Sequence, residues 1–169
     1  MKKVYTHSLI YSLLFMVGVA CGQVNNSSST VERVKDAKVD TPITNFTEKE
    51  YYDFGRKKMS IGAYQEAIGL FSKAIQKNPN YLSAYLERAY CYQEMSFFSK
   101  AIEDIQIVLG KDNKNTLAYN NLGNVYADNS NPKKAIECYN KAIEISPSFG
   151  RAYYNRGYTY NELGKKKKA

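Results

Sequence analysis

The sequence predicts an all-α fold, an α-solenoid of antiparallel helix pairs with about three and a half repeats. Three observations predict it. A 34-residue period runs from residue 48 onward without an insertion, columns of small residues keep that register, and a helix-start signature stands at its beginning. Tyr51, Tyr85, Tyr119 and Tyr153 are 34 apart, as are Gly55, Ala89, Gly123 and Gly157. Ala67, Ala101, Ala135 and Ala169 follow the same step, as do Phe71, Ile105 and Tyr139, and then Ala74, Val108 and Ala142. Pro79 and Pro147 differ by two periods, with Asn113 between them. Columns held in register in this way mark repeats that bury their apolar faces by stacking on one another.

The array starts sharply. Thr47 followed three residues later by Glu50 is a capping box, and Phe46 before the cap with Tyr51 four residues after it forms a hydrophobic staple. Helical structure is therefore expected from Thr47 or Glu48. The repeat domain covers 47–169, as unit one over 48–81, unit two over 82–115, unit three over 116–149 and a partial unit over 150–169.

These columns resemble the tetratricopeptide repeat, whose pattern is an aromatic, Leu-Gly, Tyr, a small Ala, an aromatic and a closing Pro. Unit three carries it most fully, in Tyr119, Leu122-Gly123, Tyr126, Ala135, Tyr139, Ala142 and Pro147. The resemblance covers about 120 of the 169 residues. Departures are Tyr for the usual Trp, Arg88 and Arg156 for the Leu, and Asn113 for the Pro of unit two. It implies two antiparallel helices per unit, joined by turns near Gly62, Ser96, Ser130 and Gly164. The small residues would then lie where paired helices cross, since a larger side chain would force the pair apart. The aromatics would fill the space between units.

The resemblance also implies a concave groove, lined by the first helix of each unit, that binds a protein or peptide partner. Its positions fall on Lys49, Tyr52 and Arg56, then on Leu86, Tyr90, Gln93 and Glu94. Unit three supplies Leu117, Asn120, Asn121, Asn124 and Asp128, and unit four Arg151, Tyr154, Asn155, Tyr158 and Asn161. Asn offers donors and an acceptor to a peptide backbone, and Tyr offers stacking area with a polar tip. The clamp by which chaperone-binding relatives hold a C-terminal carboxylate is incomplete: Asn121 falls on a matching column and Arg151 stands where its second Lys would be, but Leu86, Tyr90 and Asn155 replace its other members, so chaperone-tail binding is not expected. An asparagine ladder is half present, with Asn121 and Asn155 in the column where Asp53 and Glu87 stand. The same Asn residues could instead bond the neighbouring helix. A cell-wall glycan or peptidoglycan binder is the alternative use of such a Tyr and Asn surface.

Charge and composition exclude other classes. The formal net charge of +8 is concentrated at the ends, because residues 48–164 hold fifteen basic and thirteen acidic side chains, a surplus of two. A groove that tracks phosphates needs clustered Lys and Arg, so no nucleic-acid partner is expected. His7 is the only histidine. No phosphate loop, nucleophile elbow or paired-carboxylate motif is present, which argues against an enzyme and calls for no metal or cofactor. Cys91 and Cys138 lie at different positions of different units, as buried packing residues would.

The first 20 residues have the build of a secretory signal, with Lys2 and Lys3 before the apolar run from Leu9 to Ala20. The run ends Val17-Gly18-Val19-Ala20-Cys21, which resembles the lipobox of bacterial lipoproteins, with Gly18 where a large aliphatic residue is usual. It implies a lipid on Cys21 and a membrane-anchored place in the bacterial cell envelope, the alternative being a secreted or periplasmic protein. Residues 21–46 offer few apolar side chains and read as a flexible linker. At the other end Lys165 to Lys168 and Ala169 follow Gly164 just where a second helix of unit four would begin. The first helix of that unit is then expected to cap the array, whether as a natural basic-tailed cap or, the reading preferred here, as a longer array cut short.

Overall fold

Thr47 starts the array in the way its sequence requires. In the computed structural model, which describes residues 46–168, Thr47 is the N-cap of helix α1 (Glu48–Ser60). Its Oγ1 accepts from the Glu50 amide at 3.2 Å, and its own amide donates to the Glu50 carboxylate at 2.8 Å. The Phe46 and Tyr51 rings meet edge-on with centroids 5.6 Å apart, which completes the staple. Thr47→Ala is expected to lower stability by about 1 kcal/mol. Urea unfolding followed by circular dichroism checks it, and an unchanged midpoint would deny the cap its role. The signal segment, Cys21 and the linker up to residue 45 lie outside the described residues.

Helices α2 (Tyr64–Lys77), α3 (Leu82–Glu94), α4 (Phe98–Lys111), α5 (Thr116–Asp128), α6 (Pro132–Ile145) and α7 (Gly150–Lys168) follow in order, and no strand occurs among the described residues. The turns inside the units share one construction. Gly62, Ser96 and Ser130, 34 apart, all take positive φ, at 76°, 62° and 55°. Around each, two amides reach back to the carbonyls of the helix just ended: Gly62 to Met59 and Ala63 to Lys58, then Ser96 to Gln93 and Phe97 to Tyr92, then Ser130 to Ala127 and Asn131 to Tyr126. This pairing satisfies the last carbonyls of the helix and reverses the chain.

Inside each unit the small columns let the helices touch. A Cβ on Gly55 would lie 2.6 Å from the Phe71 ring, and one on Gly123 would lie 2.4 Å from the Tyr139 ring. Unit two solves the same packing problem with a different pair, Ala89 opposite Ile105, both buried. Glycine accompanies an aromatic ring; alanine accompanies the narrower aliphatic. Ala67, Ala101 and Ala135 are fully buried on the facing helices. The central core joins α3, α4 and α5 through Tyr85, Leu86, Ala101, Ile105, Val108, Leu122 and Val125.

The Arg that departs from the repeat pattern has a defined partner. Arg88 of α3 makes two parallel bonds to Asp104 of α4, Nε to Oδ2 at 2.8 Å and Nη2 to Oδ1 at 2.6 Å, and a third to the Ser72 hydroxyl of α2 at 2.9 Å. The Asp104 side chain is only 4% exposed and that of Arg88 17%. In the corresponding columns, unit one pairs Phe54 with Leu70 and unit three pairs Leu122 with Cys138, so the charge appears on both helices or on neither.

Two expectations meet different outcomes. Cys91 is fully buried and Cys138 half-buried, both as free thiols. Burial pushes them up to about 12 and about 11, so both stay protonated packing groups at neutral pH. The turn expected near Gly164 does not form: α7 runs from Gly150 through Gly164 to Lys168. Gly62, Ser96 and Ser130 leave the helical conformation because a following helix folds back on the first, whereas no packed helix follows α7 within the described residues. Lys is a good helix former and prolongs it. Tyr160 is exposed and Leu163 half-buried.

Candidate functional site: the inner groove

First helices of successive units touch one another, α1 with α3, α3 with α5 and α5 with α7. The second helices α2, α4 and α6 do not touch each other. Such an array is tighter on the side of the first helices, which places the concave face along α1, α3, α5 and α7.

Side chains bridge these helices along that face, and the bridges step by 35 residues rather than by the repeat length. The Tyr52 hydroxyl of α1 donates to Glu87 Oε1 of α3 at 3.2 Å, and Arg56 stands 3.9 Å from the same carboxylate. Gln93 of α3 donates to Asp128 of α5 at 2.5 Å, and Asn155 of α7 donates to Asn120 of α5 at 3.0 Å. Asn155 also donates to Asn124 Oδ1 at 3.0 Å, and the Tyr139 hydroxyl donates to that oxygen at 2.9 Å. Burial, reinforced by Glu87, pushes the Tyr52 phenol up to about 12. Burial with Glu94 nearby does the same to Tyr90, and burial raises Tyr139 to about 12. All three remain neutral donors at physiological pH.

The residues expected from the sequence therefore divide by depth. Asn120 is only 3% exposed and lies beneath the groove surface, held by Asn155 and donating to Asn121 at a long 3.5 Å. Asn124 and Asn155 are half-buried, with polar atoms engaged between helices. Tyr52 is half-buried against the Phe71 and Tyr81 rings, at centroid distances of 5.7 and 5.0 Å. Asn121 and Gln93 are half-buried as well, and Arg56 and Arg151 are exposed. The exposed rings are Tyr90, edge-on to Tyr64 at 6.3 Å, Tyr154 at 75% and Tyr158 at 60% exposure. Gln93, Asn124, Asn155 and Tyr158 come together with Asp128, Tyr139 and Thr159 around a hollow of about 190 Å³. Tyr52 and Arg56 gather instead around Glu87, at the other end of the face. Tyr139 and buried Thr159 were not among the expected groove residues. Tyr139 comes from a second helix, and Thr159 turns its hydroxyl to the Asn155 carbonyl at 2.8 Å.

Among the described residues no group of His, Cys, Asp or Glu side chains is placed to hold a metal ion, and no helix is long and apolar enough to cross a membrane. What the face offers is hydrogen-bonding side chains and exposed tyrosine rings.

Comparison with known proteins identifies the repeats. Residues 116–149 match a family model described as tetratricopeptide repeat, and residues 138–169 match a second of the same description. The small glutamine-rich tetratricopeptide repeat-containing protein 2 of Mycosarcoma maydis is 33% identical over 94 residues, 56% of this chain and 27% of the relative. This chain thus spans about a quarter of that relative's length. The crystal structure of the Sgt2 TPR domain from Aspergillus fumigatus superposes with a TM-score of 0.66 at 23% identity, covering 72% of this chain and 82% of that one. The first TPR of Spaghetti (RPAP3), bound to the HSP90 peptide SRMEEVD, gives 0.64 at 21% identity over 70% of this chain and 94% of that one. These two structures share the fold. Residues 116–169 thus match tetratricopeptide repeat models, and the described helices have the all-α superhelix that such repeats build.

Proposed function

We propose that this protein is a non-catalytic scaffold that holds a segment of a partner protein in the groove formed by α1, α3, α5 and α7. Its tether would be a lipid on Cys21, placing it on a membrane of the bacterial cell envelope. The observation that carries the groove reading is the set of exposed tyrosines on its first helices, Tyr90, Tyr154 and Tyr158, the last of them beside a floor of amides already bonded to one another. Tyrosine rings supply large contact area at little entropic cost, and a floor fixed in advance needs no ordering when a ligand arrives.

The charge of the face bears on which segment fits. Groove positions carry Asp53, Glu87, Glu94, Asp128 and Glu162 against Lys49, Arg56 and Arg151. The acidic peptide held by the RPAP3 relative would meet an excess of like charge here. A neutral or basic segment suits the face better.

Replacing Asn121, Tyr154 and Tyr158 together by Ala is expected to weaken partner capture at least tenfold while the array stays folded. In-cell crosslinking with identification of the captured protein, beside a thermal melt of the variant, checks it. Undiminished capture by a folded variant would refute the groove reading, and binding to isolated peptidoglycan instead of protein would transfer the surface to glycan.

A further inference from the structure

Two hollows lie along the turn edge of the inner groove, two repeats apart. One, of about 180 Å³, sits where α7 passes the turn between α5 and α6. Ala127, Pro132 and Leu163 give it apolar walls, the Tyr158 ring is 60% exposed beside them, and the Asp128 and Glu162 carboxylates line it as well. Tyr158, Thr159, Glu162 and Leu163 form one stripe of α7, on the side of the helix away from Gly157. The hollow adjoins the one lined by Asn124 and Asn155, since Asp128, Tyr158 and Thr159 belong to both.

The other, of about 270 Å³, is its counterpart between units one and two. Gly62, Tyr64 and Met95 line it at the repeat positions where Ser130, Pro132 and Leu163 line the first. Its aromatic side is Tyr64, edge-on to the exposed Tyr90 ring. Glu66 lines it, and Glu94 stands beside it, accepting from the Tyr64 hydroxyl at 3.5 Å. Tyr90 with Glu94 and Tyr158 with Glu162 occupy the same two repeat positions. At each hollow one carboxylate has a lysine of its own, Lys165 on Glu162 at 2.8 Å and Lys58 on Glu66 at 2.6 Å. Among the described contacts the second carboxylate meets neutral donors only: Gln93 for Asp128, a tyrosine hydroxyl for Glu94.

Resting on the groove reading above, we propose that each hollow seats one basic side chain, arginine or lysine, of the partner's segment. The apolar walls take its methylene stem, while its cation meets the tyrosine ring and the carboxylate that has no lysine. First helices packed about 10 Å apart put the hollows about 20 Å from each other. An extended chain covers that span in about six residues, so the segment carries its two basic residues about six positions apart.

The probe is the peptide Arg-Gly-Ser-Gly-Ser-Gly-Arg, blocked at both ends and titrated into the isotope-labelled full chain under NMR observation. Saturable amide shifts are expected at Asp128, Tyr158 and Glu162, and at Tyr64, Glu94 and Met95. Citrulline in place of both arginines keeps the shape and removes the charge, and should weaken binding at least tenfold. So should Asp128→Asn combined with Glu94→Gln, both at exposed positions, with the thermal melt unchanged. Glu103→Gln with Glu137→Gln removes as much charge from exposed positions of the outer helices α4 and α6, and should leave the affinity unchanged. Shifts confined to other residues, equal binding of the citrulline peptide, or an equal loss from the outer pair would overturn the proposal. In-cell capture that needs Asn121 and Tyr154 but ignores Asp128→Asn with Glu94→Gln would overturn it while the groove reading stands. Capture indifferent to both sets would overturn the two together.

Discussion

Replacing Arg88 by Met is expected to destabilise the array by about 3–5 kcal/mol, the usual consequence of leaving one member of a buried ion pair without its partner. The reason is Asp104. Its side chain is almost fully enclosed, and burial already holds its carboxyl above the ordinary range, against the pull of the Arg88 guanidinium. Without that pull the carboxyl rises further. A group whose folded-state pKa lies above its unfolded value penalises folding at high pH, and the penalty fades as pH falls towards the unfolded value near 4. The gap between parent and variant, measured by urea unfolding, should therefore narrow between pH 7 and pH 4.5. A gap equal at both pH values would mean that the uncompensated charge is not the cause. Combining Arg88→Met with Asp104→Leu should bring stability to within about 1 kcal/mol of the parent, as apolar replacements of buried ion pairs often do. The apolar pairs Phe54 with Leu70 and Leu122 with Cys138 already occupy these columns in units one and three.

Gly123→Ala is expected to cost about 1–3 kcal/mol, although alanine is the better helix former by about 1 kcal/mol. The new methyl would meet the Tyr139 ring at 2.4 Å, and that ring cannot step aside. It is buried on all sides and tied through its hydroxyl to Asn124. Gly157→Ala reverses the sign, since open space surrounds that position and only the propensity gain of about 1 kcal/mol remains. The two variants share chemistry, helix type and repeat column, so comparing their thermal melts isolates the packing term. Adding Tyr139→Ile to Gly123→Ala recreates the Ala89 and Ile105 pair of unit two. A double-mutant cycle should then give a favourable coupling of about 1 kcal/mol or more. Equal effects at Gly123 and Gly157, or no coupling, would deny that ring size and column residue are matched.

The repeat register was legible in the sequence because each unit solves one packing problem with one set of residue sizes. A column of Gly and Ala at 55, 89 and 123 has no other physical reason to recur. The cap at Thr47 was legible for a local reason: a capping box involves only four consecutive residues. The α7 continuation was not, because Gly164 permits a turn without compelling one, and only a packed second helix would select it. The groove was legible as positions but not as depths. Asn120 and Asn121 are adjacent and chemically identical, yet Asn120 is buried beneath Asn155 while Asn121 reaches solvent. Each first helix lies one residue out of register with its predecessor's partner positions, which produces the spacing of 35 between Tyr52 and Glu87, Gln93 and Asp128, and Asn120 and Asn155. A search at that spacing would have revealed these pairs. Arg88 and Arg156 read as departures from the repeat pattern until Asp104 and Asn140 supplied their partners.

On the function proposed above, the face of the first helices is the working surface. Photo-crosslinking amino acids placed one at a time at Tyr154, on the groove, and at Glu137, exposed on the outer helix α6, test it most directly in the living cell. Discrete protein adducts from position 154, mapping by mass spectrometry to one segment of one partner, with none from position 137, are the predicted result. Adducts from position 137 alone would contradict it.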